Sequence, residues 1–522
     1  MFDRISDRLH STVGGDVTSD APGSQTSSAT RKDNTGAPAG DLARAGVRGA
    51  AWQGAAFVVG KAVVLLTTVV LARLLAPEQF GLVSLALVLI VYAEAIADVG
   101  VAQALIYFQP RVSTIRAALL CSSLVGVMLA AVGALAAPLI GDFFGRQDVV
   151  PIVRLLAVSL LFSALGAVPE ALLRRALQFR RLTAATVTRA VATGVISIGL
   201  AAAGWGAWAL AWGTVAGTFS YAVAVWLLVP ERVALLPGKT SPGRLNAVLR
   251  YGIPVAGGTL LAKLIFDVDY LIVGHQLGVE ALGFYTLAFR IPELLIINVF
   301  FVISSVSFPV YSRARSDLAR LTDGYLLSTR MQALYGVSAG VGIAVVAPLL
   351  VPLVFGEAWR PAVAPLIGLA IYAACRSLGA GANEIYKALG RPGLTITVSL
   401  LRLAILVPVL ILAARWGIAG VAWAQAATSL VFVVLMQGVA CRVLRMSPWR
   451  LAEAVMPALL CGLAIALVAG PLSRIPAPPV AALGCAVVGG IAATAAVLAI
   501  GFRPLLRRIA ALLRRRGVEA TP

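Results

Sequence analysis

The residues able to do chemistry in this sequence are charged side chains set inside long apolar runs. Six are cations: Lys61, Arg189, Lys263, Arg290, Arg376 and Arg402. Six are anions: Glu94, Asp98, Asp267, Asp269, Glu293 and Glu384. A charge at the centre of a bilayer costs at least about 2.5–3.5 kcal/mol on insertion scales, so each one answers to a partner, a cavity or a substrate. Lysines and arginines lining a cavity would hold an anionic substrate. The expected substrate site is therefore a set of cavity cations: Lys61, Lys263, Arg290, Arg376 and Arg402. Lys61 and Lys263 stand out because each lies mid-run and they are 202 residues apart, an interval that recurs below. Glu94 and Asp98 are i,i+4 on one helix face, and with Asp267 they are the candidates for proton relay or ion coupling. Pairing is the competing reading. Lys263 and Asp267 are i,i+4, Arg290 and Glu293 are i,i+3, and Glu94 could neutralise Lys61.

Other chemistry has little to work with. His10 and His275 are the two histidines, and the five cysteines form no CxxC pair. Zinc sites, disulfide scaffolds and histidine-based triads are not expected. There is no DxD, no P-loop and no GxSxG in a loop, so neither enzyme activity nor a cofactor is expected.

The elements that must position these charges follow from composition. Of 522 residues, 60% are hydrophobic and 13% charged, and the mean hydropathy is +0.91. That excludes a soluble enzyme and, despite a net charge of +20, a nucleic-acid binder. A bilayer core of about 30 Å needs roughly 20 apolar residues as helix. Fourteen segments qualify, near 50–72, 82–106, 114–138, 151–172, 183–203, 207–229, 247–273, 283–309, 330–354, 362–386, 394–414, 418–440, 451–470 and 479–500. The runs are unbroken rather than alternating, which excludes a β-barrel. The expected fold is an all-α polytopic membrane protein. Gly252, Pro254, Gly257 and Gly258 open the seventh span and mark it for a bend or for close packing.

The connecting loops are short, and their charge is lopsided. The loops on one side, with both tails, hold 31 of the 43 Lys and Arg residues; the opposite loops hold six, Arg73, Arg146, Arg154, Arg360, Arg415 and Arg474. This asymmetry predicts an even number of spans with both termini in the cytoplasm. The stretch 503–516, RPLLRRIAALLRRR, predicts an amphipathic helix on anionic membrane lipids.

The chain also repeats itself. ARLLAPEQFGLVSLA at 72–86 aligns with GHQLGVEALGFYTLA at 274–288, WGAWALAW at 205–212 with WGIAGVAW at 416–423, and ALQFRRLT at 176–183 with ALGRPGLT at 388–395. Three matches in order indicate two six-span repeats. An even span number makes them parallel repeats around a central cavity, the plan of an alternating-access transporter. The expected organisation is a disordered tail (1–47), a first lobe (48–230), a second lobe (231–445), two further spans (446–500) and a basic tail (501–522).

Three stretches carry a family likeness. They are LARLLAPEQFGLVSLALVLIVYAEAIADVGVAQALI at 71–106, ALLRRALQFRRL at 171–182 and RYGIPVAGGTLLAKLIFDVDYLIVGHQLGVEALGFY at 250–285. With them the sequence resembles the Wzx-type polysaccharide exporters, of the multidrug/oligosaccharidyl-lipid/polysaccharide flippase superfamily. The resemblance implies export of undecaprenyl-diphosphate-linked oligosaccharide across the bacterial inner membrane for exopolysaccharide, capsule or O-antigen assembly. It implies a lipid-linked oligosaccharide as substrate, and a polymerase and glycosyltransferases of the same pathway as partners. A cation-coupled multidrug exporter of the same fold is the alternative, and a membrane glycosyltransferase or polymerase is disfavoured by the short loops.

The charge asymmetry predicts that a periplasm-active reporter fused after Arg516 stays silent; a strong signal there would refute the topology.

Overall fold

The computed structural model describes residues 60–97, 112–176, 178–230, 263–300 and 317–502, apart from 380 and 391, with isolated positions between. No strand occurs among the described residues. With no water to satisfy backbone groups in hydrocarbon, apolar runs of this length close their hydrogen bonds internally as helices.

The first set is α1 (60–74), α2 (Pro77–Ala97), α3 (Val112–Phe144), α4 (Val149–Arg175), α5 (Phe179–Ala202) and α6 (Ala207–Leu228). The second is α7 (263–276), α8 (Val279–Pro292), α9 (Leu318–Phe355), α10 (Val363–Ser377), α11 (Pro392–Ala413) and α12 (Gly417–Val443). Then come α13 (Pro448–Leu472) and α14 (Pro479–Gly501). Eleven stretches among the described residues are long and apolar enough to cross a membrane; that over Leu394–Val443 contains two helices, α11 and α12.

The packing repeats with the sequence. In the first set α2 packs on α4, α4 on α6, α3 on α4 and α5 on α6. In the second α8 packs on α10, α10 on α12, α9 on α10 and α11 on α12. Each pair has its counterpart six helices on. Helices α13 and α14 add to the side of α9.

The two sets meet where α2 crosses α8, at the end bearing the sparsely basic loops. A Cβ on Gly81 would lie 1.8 Å from the Val279 carbonyl oxygen, and one on Gly283 would lie 2.0 Å from that of Pro77. Both positions require glycine, because the helices touch backbone to backbone. These residues are the matched ones of the repeat, 202 apart, so the contact is two-fold symmetric in sequence. Trp359, fully buried, plugs the same end. Its Nε1 donates to the Ala72 carbonyl at 2.7 Å, and its ring meets Phe80 and Phe284 edge-on at 5.1 and 5.9 Å. At the surface Arg146 reaches across loops to Glu78 at 2.7 Å and to Asp148 at 2.5 Å. Its hydrogen bonds hold the Asp148 carboxyl below the usual carboxylate range.

Three local features depart from the expected spans. Helix α9 begins at Leu318 rather than near 330, because Asp317 caps it, accepting from the backbone N–H of Ala319 and Arg320 at 3.1 Å. The tenth span is interrupted after Ser377 and resumes as a short helix, Ala382–Ala388. Helix α8 widens into a π turn over Glu293–Ile297, directly after Pro292, which has no N–H to give to the helix. The Gly252–Gly258 segment, the tails 1–47 and 503–522, and Asp98 lie outside the described residues.

In a background without the five native cysteines, Ser84→Cys, one turn below Gly81, should be protected from a membrane-impermeant maleimide applied at the sparsely basic end. Adding Gly81→Ala or Gly283→Ala should raise its labelling several-fold at unchanged protein level; unchanged labelling would show that the α2–α8 contact is not the closure.

Candidate functional site

Below the α2–α8 contact lies a cavity of about 380 Å³ lined by α1, α2, α5 and α6 and closed by α7 and α8. Eight of its twenty lining residues are Ser or Thr. Hydroxyls on a helix donate to the carbonyl one turn back, which leaves their lone pairs free to accept. Thr68 donates to Val64 at 2.8 Å, Ser84 to Phe80 at 2.7 Å and Thr214 to Leu210 at 2.9 Å. The hydroxyls of Ser197 and Thr286 are buried without a partner. On α5, Thr186, Arg189, Thr193 and Ser197 follow helical spacing and line the same wall. Gly213 and Gly217 let α6 close on Ser197 and Thr193. The Arg189 guanidinium lies 5.9 Å from the centre of the Tyr221 ring.

The charges entering this cavity are of both signs. Arg290 and Glu293 of α8 form a salt bridge at 3.0 Å, both side chains about one-third exposed. Lys61 lies in the field of these two groups of α8, across the interface. Asp267 lies in the field of Asp269, Lys263 and Glu293, and Tyr92 of α2 in that of both aspartates. Asp269 is buried and accepts from the Tyr285 hydroxyl at 2.7 Å. The pairing read from Arg290 and Glu293 is thus realised. Glu94 is half-buried on α2.

The five expected cavity cations do not share one cavity. Arg290 lines the cavity between the two sets, whereas Arg376 and Arg402 line another, within the second set. Glu384 pairs with Lys387 at 3.2 Å beside it. Depth in the membrane was readable from the sequence, but the face each helix turns to its neighbours was not. Sequence reasoning also left out the hydroxyl lining, whose signal was the Thr186–Ser197 spacing, and the Asp269–Tyr285 bond, for which no local pattern exists.

The family model described as polysaccharide biosynthesis protein matches residues 70–364, more than half of the chain. This chain belongs to that family. The lipopolysaccharide biosynthesis protein WzxC of Escherichia coli K12 is 24% identical over 371 residues, 70% of this chain and 74% of its own. The teichuronic acid biosynthesis protein TuaB of Bacillus subtilis is 25% identical over 315 residues, 58% of this chain and 63% of its own. Among solved structures, the lipid II flippase MurJ in an inward closed conformation matches with a TM-score of 0.69 at 13% identity, covering 87% of this chain and 99% of that one. An inward-facing multidrug transporter of the MATE family matches at 0.62 and 16% identity, covering 74% and 94%. The fold is thus one shared with these multi-pass membrane proteins.

A double-mutant cycle on purified protein tests the Arg290–Glu293 pair. Each alanine substitution should lower thermal stability, and the double variant should lose less than the sum, by about 0.5–1 kcal/mol for a partly exposed pair. Additive losses would show that the two groups are not coupled.

Proposed function

We propose that the protein moves undecaprenyl-diphosphate-linked oligosaccharide from the inner to the outer leaflet of a bacterial plasma membrane, for assembly of a surface polysaccharide. The observation that carries this is a hydroxyl-lined cavity with Arg189 and Arg290 among its lining residues, closed at one end by α2 and α8, in a chain of the polysaccharide biosynthesis protein family. Hydroxyls and cations together suit a glycan joined to a diphosphate. The chain crosses the membrane fourteen times with both termini cytoplasmic, so the α2–α8 closure faces outward. Its six-helix sets form two lobes, 48–230 and 231–445, with 446–500 contributing the last two spans.

Transport needs an affinity that differs between states. A diphosphate held near Lys61 and Lys263 draws the lobes together, and the Arg290–Glu293 pair sets a local charge balance that the anion disturbs. Opening outward then requires Gly81 and Gly283 to leave the carbonyls they cover. Glu94, Asp98 and Asp267 are the groups for ion coupling. A polymerase and glycosyltransferases of the same pathway supply and consume the glycan, and the basic C-terminal stretch rests on anionic lipid. The drug-exporter alternative shares the fold but does not explain the hydroxyl-rich wall.

Deleting the gene should trap lipid-linked oligosaccharide on the inner leaflet and abolish one surface glycan. Lys61→Ala and Lys263→Ala should each impair export at normal membrane level, and Lys→Arg should be milder. Vesicles that export cationic drugs but leave the glycolipid in place would favour the alternative. Normal export by the double alanine variant would remove the lysines from the site.

A further inference from the structure

The cavity inside the second set measures about 340 Å³ and shares no lining residue with the one between the sets. Arg376 enters it from α10 and Arg402 from α11. Arg376 donates to the Tyr372 hydroxyl at 3.1 Å and lies over the Phe266 ring, 4.0 Å from its centre. These contacts orient the guanidinium without neutralising it. The Nε of Arg402 is buried with no hydrogen-bond partner, and each arginine acts on the other as a like charge. Lys387 adds a third cation at the margin. Glu384 is the single carboxylate among the lining residues, and Lys387 holds it. Among the described residues no ion pair reaches Arg376 or Arg402. Two guanidiniums sharing one space repel each other, and the unpartnered Nε of Arg402 is costly where it is buried.

We infer that this cavity is a separate anion site that takes a phosphate group between Arg376 and Arg402. Planar guanidinium forks match phosphate oxygens bidentately. The hydroxyls of Thr395, Ser399 and Ser429 line the same space and can donate to the remaining oxygens. The volume exceeds what a halide fills, and Phe300, Phe432 and Met436 offer an apolar wall for an organic substituent on the phosphate. The occupant is therefore free phosphate or the phosphodiester head of a membrane lipid. A bound anion joins α10 to α11 by charge, and it does so whatever substrate passes between the lobes.

The test uses full-length protein in nanodiscs with no glycolipid present. In phosphatidylcholine discs, calorimetric titration with inorganic phosphate should show a saturable site that depends on Arg376 and Arg402. Arg402→Gln and Arg376→Gln should weaken it at least tenfold, Ser399→Leu should block it by filling the cavity at unchanged charge, and Lys61→Ala should leave it intact. In phosphatidylglycerol discs, competition against phosphate, with lipid retained in native mass spectra by the parent and shed by Arg402→Gln, assigns the lipid head; unchanged affinity assigns the free anion. The inference is overturned if neither phosphate nor lipid binds, or if Ser399→Leu and Arg402→Gln, each monodisperse, bind like the parent.

Discussion

Gly81 lies on the carbonyl of Val279, and Gly283 on that of Pro77, so two helices meet without intervening side chains. Everything between the six-helix sets hangs from this crossing. Backbone contact excludes water and substrate there, and it fixes α2 against α8 closely enough for Trp359 to wedge between Phe80 and Phe284. The same crossing sets the roof of the cavity beneath. A side chain at either glycine would push the sets apart, which is the displacement that transport demands. The contact is backbone on backbone at the crossing itself, with hydrogen bonds such as Trp359 to Ala72 beside it.

The charges follow a different logic. In hydrocarbon, an ionised side chain is tolerated where another group, water or a ligand answers it. Between the sets, Arg290 is answered by Glu293, and the Glu293 carboxylate also acts on Lys61 as an opposite charge. Asp269 is answered by Tyr285. Such pairing makes the interface a balanced strip, able to accept an added anion by rearrangement instead of by simple attraction. Within the second set the balance fails, since Arg376 and Arg402 face one another beside a carboxylate already engaged. The two cavities therefore differ in kind: one is rich in hydroxyls with its Arg290 paired to Glu293, the other holds two arginines that no ion pair reaches among the described residues.

Much of this was determined by the sequence alone. Apolar length dictates helices, since the hydrocarbon leaves the backbone no other partner. The repeat at an interval of 202 residues foretold that α2 and α8 are equivalent, and their contact realises it through matched glycines. The ordered motifs foretold the family. Charge spacing along one helix foretold the Arg290–Glu293 pair, because i,i+3 neighbours meet without outside help.

Tertiary structure alone decided where the charges look. Arg290, Arg376 and Arg402 are alike in sequence, each a cation in mid-span. The rotation of each helix about its axis, constrained by close contacts such as Gly283 on Pro77, Gly340 on Ala370 and Gly368 on Ala422, sends one into the interface and two into the interior of the second set. The π turn after Pro292 and the break after Ser377 shift that rotation further along α8 and the tenth span. Span length and local pairing are one-dimensional properties that a chain carries with it. Helix rotation depends on which surfaces meet, so it exists only once the helices have packed.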